Sequence, residues 1–316
     1  MNVNRVFAVS PYLEVAARNL YWRSEFLVRK VTSLRAAKKS AEKTQPPARV
    51  SIDRVVEHLA HCGVGPGDIL VVHSTYSAIS TGSKPRAVVE ALKALVGATG
   101  TLVMPAIPRF AEAPKGTKRI SADVSALVLD YDPERTRAWT GVLPAEMMKI
   151  PGARRSSHPL NSVVAWGPHT DDMLRDNLTG ERPLPCGPGS SWNYCRERGA
   201  TIAALGVDMA HNVTMIHVAE DMLGDRWSVP GWYRDRRFRI KTAHGWEEHT
   251  VRERHPRWAM HYAERTLDKD LRREGILKVD LVEGVPIGLL DAKLLVDYLN
   301  RRNSTGYPYY LVPRRR

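Results

Sequence analysis

The 316-residue sequence has few cysteines and no long apolar run, and each shortage excludes a class of protein. Its three cysteines, Cys62, Cys186 and Cys195, are odd in number and form no C-x-x-C pair, which excludes a disulfide scaffold and a zinc knuckle. No stretch of about 18 apolar residues could span a bilayer, and the first residues lack the apolar core and cleavage site of a signal peptide. We therefore expect a reduced, cytoplasmic protein that is soluble or lies at most on a membrane surface.

The sequence also lacks the motifs of several common enzyme classes. It contains no G-x-x-x-x-G-K-[ST] or G-x-G-x-x-G loop, so nucleotide hydrolysis and dinucleotide binding have no support. It has neither the G-x-S-x-G elbow of a serine hydrolase nor an H-E-x-x-H zinc pattern. His211 and His217 are six residues apart and would face different sides of a helix, so we expect no metal.

The positive charge of the chain is concentrated at its two ends. Overall, 47 lysines and arginines oppose 34 acidic residues, a formal net charge of +13. Residues 1–50 hold ten basic and three acidic side chains, and residues 301–316 hold five basic and no acidic ones. Residues 51–300 are almost neutral, with 32 basic and 31 acidic side chains, so we expect no binding of nucleic acid.

The N-terminal segment 10–44 has the pattern of a basic amphipathic helix that ends at a Gln-Pro-Pro hinge. Such a helix usually packs its apolar face on its own domain. Docking of a partner and peripheral contact with an anionic membrane are the alternatives left open. We divide the chain into a helical extension over 1–50, a globular domain over 51–303 and a basic tail over 304–316.

Helical and strand patterns alternate from residue 51 onward. The predicted strands are Asp68–His73, Thr101–Pro105, Ser162–Trp166 and Thr201–Leu205, with a hairpin over 237–252. The predicted helices begin at Ser51, Pro85 and Asp291 or lie around 212–223 and 257–273. This order predicts an α/β fold with a mainly parallel or mixed sheet. Ligands in such folds bind at the carboxyl ends of strands, so the loops after His73 and Leu205 are the candidate site.

The loop after the first strand begins with His73, Ser74 and Thr75 and is rich in hydroxyl groups. Small hydroxyl side chains and backbone N–H groups near a helix suit a phosphate or a polarised carbonyl oxygen. The same composition also fits an ordinary turn, so the loop alone does not identify a ligand.

The segment after Leu205 places Thr214, His217 and Glu220 three residues apart, and on a helix they would lie on one face. Glu220 could hold the imidazole of His217 in one tautomer, as a general base near neutral pH requires. A surface ion pair is the ordinary alternative for a histidine and an acid one turn apart. Asp208, in the same segment, is a candidate on the substrate side.

His158 lies in the basic stretch R-R-S-S-H-P before the strand at Ser162. This loop could bring His158 to the rim of the same pocket, on the substrate side. A structural turn fixed by Pro159 fits the sequence equally well.

In order and spacing, these segments together resemble the aminoglycoside 3-N-acetyltransferase family, whose members acetylate deoxystreptamine antibiotics and confer antibiotic resistance. The resemblance runs through roughly residues 51–226 and fades after residue 230. Its segments are Asp68–Ser74, Val96–Pro105, Tyr131–Pro133, Thr140–Gly141, Pro151–Pro159, Ser162–Gly167, Gly189–Trp192, Leu205–Gly206 and Thr214–Glu220.

The resemblance implies the α/β fold of that family, a mixed sheet flanked by helices, and acetyl-CoA as the acyl donor. It implies His217 as the general base, Glu220 as the group that orients it and Thr214 as a donor near the thioester. His73, Ser74 and the adjoining residue Thr75 would line the acetyl-CoA site.

The departures from the family concern the acceptor. Ser74-Thr75-Tyr76 replaces the family's H-S-S-L sequence after the histidine, and both ends of the chain are positive. Aminoglycosides are polycations and need an acidic surface, so the charge favours an amine of an amino sugar over an aminoglycoside. The alternative function is a non-catalytic binding protein that its basic helix recruits to an anionic membrane or polymer. The acyl chain preference and the oligomeric state are left open.

Overall fold

A computed structural model describes residues 9–41, 48–79, 82–114, 118–305 and 309–311. The strands in these ranges are β1 (Ile69–Ser74), β2 (Thr101–Pro105), β3 (Val128–Tyr131), β4 (Arg154–Arg155), β5 (Val163–Trp166), β6 (Thr201–Leu205), β7 (Tyr233–Thr242), β8 (Gly245–Arg254), β9 (Lys278–Val282) and β10 (Val285–Asp291). The α-helices are α1 (Pro11–Arg23), α2 (Glu25–Ala41), α3 (Ile52–His61), α4 (Tyr76–Ile79), α5 (Pro85–Val96), α6 (Lys118–Ser121), α7 (Val142–Met147), α8 (Thr170–Arg175), α9 (Ser191–Glu197), α10 (Met209–Asn212), α11 (Ile216–Asp221), α12 (Glu264–Arg273) and α13 (Ala292–Ser304).

Within the described ranges, the strands form two sheets. The larger has seven strands in the order β4-β5-β2-β1-β6-β10-β9. Strand β1 is parallel to β2 and β6, while β5 and β10 pair with that central group in the antiparallel direction. The smaller sheet has the order β3-β7-β8 and its own small apolar cluster. The predicted α/β class with a mixed sheet is confirmed.

The central strands β1, β2 and β6 of the larger sheet are buried on both faces, as their nearly continuous apolar sequences predict. Successive residues of a strand point to opposite faces. Leu70 and Val72 accordingly pack with α3 and α5 on one face, whereas Val71 packs with Trp192 and α13 on the other. The hydroxyl of Ser51 caps α3 by accepting from the backbone N–H of Arg54, as the sequence predicts.

The first N-terminal helix packs on the α/β domain. Glu14 of α1 is buried, and its carboxylate accepts the backbone N–H groups of Arg265 and Thr266 at 3.0–3.4 Å. The amide of Asn19 donates to the carbonyl of Met260 at 3.0 Å. Packing on its own domain, the usual behaviour of an amphipathic helix, therefore holds for α1.

Several predicted boundaries were wrong. The helix expected over 10–44 is broken at Ser24, which has an extended conformation, and its Gln-Pro-Pro hinge lies outside the described residues. The helix expected around 212–223 is two short helices, α10 and α11, and the one expected over 257–273 is a 3-10 turn followed by α12. The hairpin extends beyond both ends of the predicted range 237–252.

The C-terminal segment is not wholly a solvated basic tail. Tyr309 and Tyr310 are buried, and Tyr310 pairs with Tyr262 in an isolated bridge. Arg314, Arg315 and Arg316 lie outside the described residues. Among the residues that the structure does describe, no helix is both long enough and apolar enough to cross a bilayer.

Candidate active site

A cavity of about 430 Å³ lies at the carboxyl ends of β1, β2 and β6, the edge that the α/β pattern predicts. The described residues that line it are Arg18, Val72, His73, Ser74, Pro105, Ile107, Trp139, Thr140, Gly141, Pro144, Val207, Asn212, Val213, Thr214, Ile216, His217, Arg254, Ala259, Tyr262 and Glu264. Both candidate loops contribute to this wall. The two loops that the strand order marked as candidates therefore meet at one cavity.

Gly206 lets the chain turn sharply from β6 toward the segment that carries His217. It has a φ of +67°, and a Cβ atom at this position would lie 2.5 Å from the Cβ of Ala78. Only glycine fits such a close approach with a left-handed backbone. The two candidate loops can therefore lie side by side.

His217 and Glu220 form a hydrogen-bonded pair on α11 at the cavity. Nδ1 of His217 donates to Oε2 of Glu220 at 3.2 Å, and the Glu220 side chain is 5% exposed. This bond fixes the tautomer that leaves Nε2 as the proton acceptor. The buried carboxylate makes the arrangement different from a solvated surface pair.

Burial and charge set the protonation states of the pair. Burial lowers the pKa of His217 below its usual 6.5, and Arg254 lowers it further while Glu220 opposes the change. Burial alone would raise the pKa of Glu220, but contact with His217 holds it below its usual value. At pH 7 the pair is therefore a neutral imidazole beside a carboxylate, the combination that a general base needs.

Glu220 has further partners behind the histidine. The hydroxyl of Tyr310 hydrogen-bonds to Glu220, and Arg254 donates to the same hydroxyl. Asp221, next in sequence, accepts from the hydroxyl of Tyr233 at 3.0 Å. Burial, together with the charge of Glu220, raises the pKa of Asp221 to about 7. Of these contacts, the one from Tyr310 holds the carboxylate of Glu220 in place.

Thr214 lies in the turn that leads into α11. Its side chain lines the cavity, and its carbonyl accepts the backbone N–H of His217 at 3.0 Å. The structure thus brings Thr214, His217 and Glu220 together, although Thr214 precedes the helix that was expected to carry all three.

His73 and Ser74 also line the cavity at the end of β1. His73 stacks on Trp192 with ring centroids 6.2 Å apart, and burial lowers its pKa to about 4. Its Nε2 is buried and has no hydrogen-bond partner among the described residues. Thr75 is exposed and is absent from the described lining.

The two predicted substrate-side candidates lie outside the cavity lining. His158 is buried, its Nδ1 accepts from the backbone N–H of Leu160 at 3.1 Å, and its Nε2 is 3.3 Å from the carbonyl of Pro183. These contacts hold the loop and fit the alternative of a structural turn. Asp208 is exposed and lies 3.9 Å from Arg265 in an ion pair.

Sequence reasoning missed several polar residues of the lining, among them Arg18, Arg254, Tyr262 and Glu264. They come from α1, the end of β8 and the start of α12, where no motif marks them. Their positions depend on long-range packing, which single-sequence patterns do not reveal. The helical pattern over residues 10–44 includes Arg18, but it does not predict that this residue contacts the cavity.

A separate polar cluster lies at the surface and away from this lining. Nε2 of His58 is 3.6 Å from Sγ of Cys62 and 3.4 Å from a carboxylate oxygen of Asp280. These contacts link α3 to the edge strand β9. None of the three residues lines the cavity.

The comparisons with known proteins identify the family. The family model described as aminoglycoside 3-N-acetyltransferase matches residues 71–303. Aminoglycoside N(3)-acetyltransferase IV from Salmonella sp. is 29% identical over 180 residues, which are 56% of this chain and 60% of that protein. Aminoglycoside N(3)-acetyltransferase VIII from Streptomyces fradiae is 32% identical over 181 residues, 54% of this chain and 60% of that protein. The match thus spans three fifths of the length of these relatives.

Solved structures agree with the fold. A binary complex of AAC-IIIb with CoASH superposes with a TM-score of 0.65 at 21% identity, covering 84% of this chain and 100% of that one. The aminoglycoside acetyltransferase AAC(3)-Xa superposes with a TM-score of 0.65 at 25% identity, covering 83% of this chain and 94% of that one. Since the family model covers well over half of the sequence, the chain belongs to the aminoglycoside 3-N-acetyltransferase family, as the order of its motifs predicted.

Proposed function

We propose that this protein is an acetyl-CoA-dependent N-acetyltransferase that acts on an amine of an aminoglycoside or amino sugar. The observation that carries the proposal is the His217–Glu220 pair, whose carboxylate is buried and whose imidazole lines the cavity, in the segment where the sequence resembles the family. The relatives of this chain are named for the same reaction.

In this mechanism His217 is the general base. The acceptor nitrogen attacks the acetyl carbonyl carbon, a C–N bond forms, and Nε2 of His217 takes the proton that the nitrogen loses. The C–S bond of the thioester then breaks, and the proton passes to the departing thiolate of CoA. Base assistance of this kind is typically worth about 10²–10⁴-fold in rate.

Glu220 acts through His217 as a positioning residue. Its carboxylate holds Nδ1–H and stabilises the imidazolium that forms during attack. The contacts from Tyr310 keep that carboxylate from rotating away. A residue far from His217 in the sequence, Tyr310, therefore supports the base.

Donors along the cavity wall would stabilise the negative oxygen of the tetrahedral intermediate. Thr214 and Ser74 carry hydroxyl groups on this wall, and Thr214 lies two residues before α11. A single oxyanion donor contributes about 3 kcal/mol to the transition state. His73 is neutral beside them, so it adds no charge to the donor site.

The simplest test measures release of CoA thiol from acetyl-CoA with a panel of amines, from polycationic aminoglycosides to single-amine sugars. The proposal predicts release that depends on the amine and N-acetylated product by mass spectrometry. Binding of acetyl-CoA without release for any amine would contradict it and favour the non-catalytic alternative.

A further inference from the structure

The ion pair between Arg18 and Glu264 joins the N-terminal helix to the cavity. Both residues are part of the lining, although α1 lies outside the segment that matches the family model. The guanidinium of Arg18 contacts the carboxylate of Glu264 and lies 3.6 Å from that of Glu14. An element outside the matched region therefore supplies a charged group to the wall of the site.

The position of Arg18 is specified by neighbouring contacts. Glu14, one turn earlier in α1, accepts the first backbone N–H groups of α12, the helix that begins at Glu264. A carboxylate at a helix N-terminus satisfies otherwise unpaired donors and is favoured by the helix dipole. Because Glu14 joins the two helices, Arg18 is held beside Glu264.

The charged lining of the cavity does not suit a polycation. Among the described lining residues, Glu264 is the single carboxylate, while Arg18 and Arg254 are cations. His73 and His217 are neutral at pH 7 because burial lowers the pKa of each. An acceptor with several ammonium groups would meet one carboxylate, which already contacts a guanidinium. Juxtaposed like charges disfavour such a partner.

We propose that Arg18 is a specificity-determining residue. Its guanidinium pairs with the carboxylate of Glu264 in the cavity and thereby disfavours acceptors with several ammonium groups. The preferred acceptor is then an amino sugar with a single amine, with or without an anionic substituent. This inference rests on the proposed acetyltransferase function and adds a discriminating residue to it.

The test compares KM values for gentamicin, glucosamine and glucosamine 6-phosphate, which form a series of decreasing positive charge. In the wild-type protein we expect the KM to fall along that series. Arg18→Gln should lower the ratio of the gentamicin KM to the glucosamine KM by about tenfold, since removal of one nearby cation favours a polycation. Arg23→Gln removes the same charge from an exposed position on the same helix and should leave the ratio unchanged.

A second variant keeps the inference testable if Arg18→Gln does not fold. Glu264→Gln removes the carboxylate and leaves the cation, so the same KM ratio should rise. An unchanged ratio in a folded Arg18→Gln or Glu264→Gln variant would overturn the role of Arg18.

The donor and the acceptor roles can be separated in the same assay. If Arg18→Gln raises the KM for acetyl-CoA and leaves the acceptor ratio unchanged, Arg18 binds the anionic donor and the inference is wrong. Absence of turnover with all three amines in the wild-type protein would instead reject the proposed function, and this inference with it.

Discussion

Glu220 accepts the Nδ1 proton of His217 at 3.2 Å, and the carboxylate is buried while the imidazole lines the cavity. The acid therefore sits behind the base, on the side away from bulk water. This order allows the histidine to exchange a proton with a substrate while its other nitrogen remains fixed. In the proposed mechanism the proton therefore passes from the substrate to Nε2 of His217, because Glu220 holds Nδ1.

Glu220→Gln keeps an oxygen that can accept from Nδ1 but removes the charge. We expect kcat to fall about 10- to 100-fold, because the imidazolium formed during attack loses its counter-charge. Since Glu220 raises the pKa of His217, its loss should also move the acidic limb of the kcat/KM profile to lower pH. A pH profile with an unmoved acidic limb would argue against the coupling.

The acidic limb of the wild-type profile is itself informative. The pKa of His217 lies below 6.5, mainly because of burial, so the base remains neutral at pH values where a solvated histidine is half protonated. Activity is therefore lost only as the pH falls through this lowered pKa.

Tyr310→Phe tests whether the C-terminal segment supports the site. The variant removes the hydroxyl that contacts both Glu220 and Arg254. We expect kcat to fall three- to tenfold, because the loss of one hydrogen bond costs about 1 kcal/mol. The KM for acetyl-CoA should change little.

Tyr309→Phe is the matched control for that variant. Its hydroxyl donates to Asp270 at 2.8 Å and contacts Tyr298, not the carboxylate of Glu220. It should lower the free energy of unfolding and leave kcat unchanged. Equal losses of kcat in both variants would mean that the segment acts on stability alone.

The sequence predicted four strands of the larger sheet, β1, β2, β5 and β6, and the pair at the site, because both depend on local patterns. The short apolar runs at β1, β2 and β6 mark strands buried on both faces. His217 and Glu220 are three residues apart and lie on the same face of α11, although this helix is shorter than predicted. Of the two interpretations of His158, the structure fits the structural turn, because backbone groups of Leu160 and Pro183 that no motif reveals hold the side chain.

The division of the helix predicted around 212–223 into two short helices has a physical cause. The stretch from Met209 to Asp221 has enough apolar residues for one helix, but the turn at Val213 and Thr214 divides it. Met209 and Ile216, one from each flanking helix, both pack into the same apolar core. Tertiary packing therefore overrides the local helical pattern.

His158→Asn should preserve catalysis and change the pH dependence of stability. Burial lowers the pKa of His158 to about 4 in the folded protein. Between pH 6.5 and 4 the unfolded chain binds a proton at this position that the folded chain does not, so wild-type stability falls as pH falls. This histidine accounts for about 3 kcal/mol of that loss.

Denaturant titration at pH 7 and pH 4.5 measures the effect. We expect the variant to be less stable at pH 7 but to lose less stability on acidification, so the gap between the two proteins narrows. A loss of kcat beyond threefold at pH 7 would place His158 in the catalytic site after all.

Peripheral membrane contact remains a prediction for α1 and α2. Tyr12, Leu20 and Phe26 are 73%, 64% and 70% exposed. They lie among basic residues, a combination that suits an anionic interface. Wild-type protein should sediment with vesicles containing phosphatidylglycerol and not with phosphatidylcholine alone. Phe26→Asp should reduce this binding, whereas equal sedimentation of variant and wild type would remove the prediction.

The most direct test of the account is the rate of CoA thiol release by His217→Ala, measured beside the affinity for acetyl-CoA. His244→Ala, in the exposed turn between β7 and β8, is the matched control. We predict that His217→Ala lowers kcat by at least about 100-fold while acetyl-CoA still binds, and that the control keeps wild-type rates. A His217→Ala protein that folds, binds acetyl-CoA and turns over at the wild-type rate would contradict the assignment of His217 as the base.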